Sequence, residues 1–74
     1  MAKVTRPPGD TGTRVKQLQQ RLRDLGYFTA NVGGNYLTET TKAVRAFQDA
    51  LGLQQTGVAT VALQRKLFAS SAPA

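Results

Sequence analysis

Residues 15–22 read VKQLQQRL, and the phrase returns at 44–51 as VRAFQDAL and, shortened, at 63–67 as LQRKL. Val15, Leu18 and Leu22 are spaced three and four apart, and so are Val44, Phe47 and Leu51, at an offset of 29 residues. That spacing puts each set on one face of an α-helix. Gln19 and Gln48 each follow a core position by about 100°, at the shoulder of the apolar stripe. A half-buried glutamine there can bond the backbone of a loop whose amides would otherwise be unpaired. Gln64 is read the same way. For Gln48 a second role stays open, contact with a ligand in a groove.

Outward from the repeat, the first helix is expected over about residues 13–25, with Val15, Leu18, Leu22 and Leu25 facing the core. Asp10 or Thr11 is its candidate N-cap, and Gly26 its left-handed stop. The second is expected over about residues 39–51, with Thr38 as cap, Thr40, Ala43, Val44, Phe47 and Leu51 inward, and Gly52 as stop. The third is short, about residues 61–68, with Thr60 as cap, Leu63 and Leu67 inward and Phe68 also at a core position by spacing. Loops 26–38 and 52–60 are rich in Gly, Asn and Thr, as turns demand. Residues 1–8, with two adjacent prolines, read as a flexible leader, and 69–74 as a small-residue tail. The expected fold is all-α: a small three-helix bundle, monomeric, built from a duplicated helix–loop unit plus a short third helix, over residues 9–68.

A chain of 74 residues has room for one domain, and 41% hydrophobic residues is ordinary for a globular one. Cysteine and histidine are absent, which removes disulfides, thiolate chemistry and His-based triads. No cofactor or metal is implied. No apolar run approaches the ~20 residues of a membrane span, so membrane insertion is not expected. The net charge of +6 favours anionic partners, but Arg14 and Arg21 fall on one side of the first helix and Lys16 and Arg23 on the other. With no single basic stripe, the charge reads as a solubilising surface, and a specific nucleic-acid binder is supported by charge alone. The four acidic residues, Asp10, Asp24, Glu39 and Asp49, look unpaired and unburied, so paired-carboxylate catalysis is not expected.

Aromatic residues are the best remaining clue. Tyr27, Phe28 and Tyr36 share the first loop with Asn31, Gly33, Gly34 and Asn35. The tyrosines either pin the loop to the bundle or offer flat faces to a sugar ring or peptide backbone. The expected ligand site is this loop and the adjoining shoulder of the second helix: Tyr27, Asn35, Tyr36, Arg45 and Gln48. Arg45 would pair with a ligand carboxylate, and Gln48 offers a donor and an acceptor.

Three stretches, GDTGTRVKQLQQRLRDLGYF from Gly9, GGNYLTETTKAVRAFQDALGL from Gly33 and TGVATVALQRKLF from Thr56, resemble the type 1 peptidoglycan-binding domain, a three-helix module attached to many bacterial cell-wall hydrolases. Order, spacing and helix phase agree over about residues 9–68. Gly33 stands where the family usually has Asp and Leu37 where it has Gly. Thr56, Thr60 and Leu63 replace its usual Asp, Gly and Thr. The resemblance implies a non-catalytic, extracellular role: binding the stem peptide and adjacent amino sugar of peptidoglycan and holding a covalently linked enzyme at the wall, with any export signal outside these residues. The alternative is a structural or protein-interaction bundle that has kept the fold without wall binding. A related fold forms the propeptide of matrix metalloproteases, but the cysteine that blocks their zinc is absent here.

Overall fold

In the computed structural model, which describes residues 4–74, three helices follow in order: α1 (Thr13–Asp24), α2 (Thr38–Ala50) and α3 (Val61–Leu67). The all-α three-helix bundle expected from the repeat is the fold observed. Val15, Leu18 and Leu22 of α1, Ala43, Val44 and Phe47 of α2, and Leu63 and Leu67 of α3 are buried in one core. Leu25 and Leu51, at the last turns, pack on its edge and are only partly buried.

Both long helices end in the same way. Beyond α1, Gly26 N–H donates to Arg23 O and Tyr27 N–H to Leu22 O; beyond α2, Gly52 N–H donates to Asp49 O and Leu53 N–H to Gln48 O. This double closure satisfies the last carbonyls and is a helix stop of the Schellman type. It is the duplicated unit seen in backbone hydrogen bonds. The third helix ends differently. Arg21 of α1 donates through Nε to Leu67 O at 2.8 Å and through Nη2 to Ala69 O at 3.0 Å, so a cation from one helix caps the carbonyl end of another.

The helix starts correct two expectations. Neither Asp10 nor Thr11 caps α1: its N-cap is Gly12, with no side-chain bond, and Asp10 Oδ1 instead accepts from Thr11 N–H. Asp10 also forms an ion pair with Arg6 at 3.1 Å, a cation and not a second carboxylate. Thr38 lies inside α2, whose N-cap is Leu37, again without a side-chain bond. Thr60 does cap α3, its hydroxyl accepting from Leu63 N–H at 3.1 Å.

A helix of seven residues makes only about two turns, too few to cover the open side of α1 and α2. Loop side chains fill the gap. Phe28, Tyr36 and Ala59 are all buried in the core. Phe68, expected inside by spacing, is 50% exposed, because α3 has ended at Leu67 and the residue is its C-cap. The loops of this fold therefore carry core as well as connecting helices.

The chain ends run along the body. Arg6 and Ala59 exchange both backbone hydrogen bonds, at 2.8 and 3.0 Å, and Gln64 Nε2 donates to Val4 O at 2.8 Å. Thr11 pairs with Asn35 in a second isolated bridge. At the other end the Tyr27 hydroxyl donates to Pro73 O. Residues 4–8 and 69–74, expected as leader and tail, make these contacts; residues 1–3 lie outside the described residues.

Candidate functional site: the first-loop groove

The repeated glutamines are clamps. Gln19 accepts at Oε1 from Gly34 N–H at 2.9 Å and donates through Nε2 to Asn35 O and the Thr40 hydroxyl. Gln48 accepts from Gly57 N–H at 3.0 Å and donates to the Thr56 hydroxyl and Val58 O. Gln64 donates to Ala59 O and Val4 O. All three are buried. Each closes on a loop backbone, as their position on the stripe shoulder predicts. Gly34 and Gly57 hold φ of 83° and 76°, a left-handed geometry that turns the amide toward the glutamine and that only glycine adopts cheaply.

Three of the five expected site residues meet, but around Gly57 and not around a ligand surface. The Tyr36 hydroxyl donates to Gly57 O, Gln48 accepts from Gly57 N–H, and the Arg45 side chain lies against the same glycine. Tyr36 is 0% exposed, so its ring offers no stacking face. Burial, partly offset by the Ala59 backbone, pushes its hydroxyl pKa far above the ordinary tyrosine value. Gln48 has its donors and acceptor satisfied internally, which removes it as a ligand contact. Arg45 is exposed and leans over the second loop. Tyr27 is half-buried, its ring edge-on to Phe47 with centroids 5.4 Å apart and its hydroxyl held by Pro73. Both tyrosines pin loops and chain ends to the bundle.

Asn35 alone of the five borders an open groove. The groove, about 400 Å³, runs between the first loop and the start of α2. Phe28 and Ala30 give it an apolar wall, Asn31 and Asn35 supply amides, and Leu37 and Glu39 stand along the α2 side. Its floor is the Gln19–Thr40 hydrogen bond, so the clamp that orders the loop also shapes the groove. Sequence reasoning found the loop but missed Leu37 and Glu39. The available signal was Leu37, a large apolar residue placed between a turn and a helix start, which is 62% exposed. Among the described residues, no group of three or more His, Cys, Asp or Glu could hold a metal ion, and no helix is long and apolar enough to cross a membrane.

A clamped loop over a three-helix core, presenting a groove of amides and apolar surface, defines a small binding module. Comparison with known proteins makes the class specific. The chain belongs to the peptidoglycan binding domain family, whose model matches residues 11–67. It is 45% identical over 47 residues to the spore cortex-lytic enzyme of Bacillus subtilis, which covers 64% of this chain and 15% of that protein. It is 35% identical over 57 residues to the N-acetylmuramoyl-L-alanine amidase CwlM of Mycobacterium tuberculosis, covering 77% of this chain and 14% of that protein. The chain thus spans about one seventh of these relatives. Among solved structures, the SleB N-terminal domain superposes with a TM-score of 0.86 at 31% identity, covering 90% of this chain and 92% of that one. An L,D-transpeptidase from Xylanimonas cellulosilytica does so with a TM-score of 0.84 at 44% identity, covering 99% of this chain and 36% of that one.

Proposed function

We propose that this chain anchors a longer cell-wall enzyme to peptidoglycan, holding the stem peptide and adjacent amino sugar in the first-loop groove, with no catalysis of its own. The observation that carries this reading is the groove itself: an open site beside Asn31 and Asn35, floored by a buried clamp, on a member of a peptidoglycan-binding family. The relatives named above as a lytic enzyme and an amidase match over a small share of their length, which supports a catalytic part elsewhere in the parent protein. The module works as a monomer at the wall, outside the membrane. Its surplus of positive charge aids first capture of an anionic polymer without fixing the bound pose.

The test is co-sedimentation with purified peptidoglycan beside retention on DNA–cellulose, each at low and at physiological salt. Binding to peptidoglycan that persists at physiological salt, with none to DNA, is the expected result. Retention on DNA alone would overturn it. A second reading, a protein-interaction bundle, is favoured by the exposed Leu37 where the family has glycine; a folded chain that ignores peptidoglycan at both salts would establish that reading instead.

A further inference from the structure

The chain has six more positive than negative charges. Yet no lysine or arginine among the described residues lines the first-loop groove, and the one charged side chain that does is Glu39. Around it stand neutral groups: the amides of Asn31 and Asn35, the Thr38 hydroxyl and the exposed apolar surface of Leu37. Glu39 Oε1 lies 3.9 Å from Lys42 Nζ, with both side chains more than half exposed. An exposed pair at that distance contributes little and is readily exchanged. The carboxylate is therefore available to another cation. Its place in the first turn of α2 suits the helix dipole. Lys42 stands at the groove's edge beside Glu39, but it is not among the lining residues.

We propose that the groove selects a ligand segment bearing a free primary ammonium group, held by Glu39. In peptidoglycan that group is the uncrosslinked side-chain amine of the stem-peptide diamino acid. The inference rests on the wall-binding reading and adds which part of the polymer is read. An ammonium entering the groove gains from the carboxylate, whereas a peptide carboxylate meets like charge there. The side-chain carbonyls of Asn31 and Asn35 offer acceptors for its remaining N–H donors. Crosslinking or acylation of the amine removes the charge, so the groove distinguishes open from closed stem peptides.

The test uses three samples of one purified peptidoglycan: untreated, acetylated on its free amines, and reductively dimethylated so that the amines keep their charge. The wild-type chain should bind the acetylated sample about 1.5- to fivefold more weakly than the untreated one, the range expected for a solvent-exposed ion pair. The dimethylated sample should bind close to the untreated one. Glu39→Gln, which should melt with the wild type, should bind all three alike, at the acetylated level. Equal wild-type binding to acetylated and untreated samples would overturn the proposal, as would a Glu39→Gln chain that still discriminates. Absence of wild-type binding to every sample would instead overturn the wall-binding reading and this inference with it, so the two failures are told apart.

Discussion

The Tyr36 hydroxyl donates to the Gly57 carbonyl, tying the first loop to the second through the core. The bond makes a loop tyrosine, outside any helical stripe, into the link between the two halves of the repeat. It also gives the protein a titratable group in its interior, whose pKa burial pushes far above the ordinary tyrosine value of 10.0.

Stability should therefore fall at high pH. In the unfolded chain Tyr36 loses its proton near pH 10, while in the folded chain it keeps it. Above about pH 10 the unfolded state binds fewer protons, so the free energy of unfolding decreases as pH rises. Tyr36→Phe should remove that part of the alkaline fall. At neutral pH it should cost about 1–3 kcal/mol for the buried carbonyl left unpaired. Thermal melts of both chains from pH 7 to 11 check this.

The glutamine clamps should matter for folding and not for ligand contact at Gln48. Gln48→Leu leaves the buried Gly57 N–H without its acceptor, and Gln19→Leu does the same to Gly34 N–H. Each should cost about 1–3 kcal/mol in urea unfolding. Wall binding per folded molecule should be unchanged in Gln48→Leu, because Gln48 does not border the groove. It should fall in Gln19→Leu, whose side chain forms part of the groove floor.

A chain beginning at Gly9 should be less stable than the full chain. It lacks the Arg6 backbone that pairs with Ala59, the Val4 carbonyl that receives Gln64 Nε2, and the Arg6–Asp10 ion pair. The buried amide of Gln64 keeps only Ala59 O as an acceptor. A loss of about 1–3 kcal/mol is expected. Equal melting of the two chains would place residues 4–8 outside the folding unit.

Groove substitutions should weaken wall binding with little change in melting. Asn35→Ala removes a lining amide but keeps the backbone carbonyl that Gln19 Nε2 uses; about 1 kcal/mol of binding should be lost, the worth of one hydrogen bond. Salt should act modestly, with a moderate drop between low and physiological ionic strength and substantial binding retained, because exposed charges are screened beyond ~8–10 Å. Chemical-shift mapping with a soluble muropeptide should mark residues 30–40. Shifts confined to loop 52–60 and α3 would overturn the site.

Periodicity alone determined the three helices, the inward faces of α1 and α2 and the place of the glutamines at the stripe shoulder, because helical phase is a local property of residues three and four apart. It left the role of Gln48 open and put Phe68 inward, which the end of α3 overrules. Gly26 and Gly52 marked the stops of α1 and α2, and Thr60 the start of α3, for the same reason. Helix starts at Gly12 and Leu37 were not legible, since neither start carries a side-chain cap to announce it.

Only the tertiary structure decided which aromatics are buried and where the groove opens. Tyr36 and Gln48 share Gly57 because the folded core brings the two loops together, a meeting of residues 21 and 9 positions apart from that glycine. Phe28 turns inward because α3 leaves core volume for it, and Phe68 outward because that helix has already ended. Glu39 faces the groove because the clamp from Gln19 sets the loop's path beside the first turn of α2. A loop side chain has no period to read. Its environment depends on backbone contacts made across the fold, and those exist only once the helices have packed.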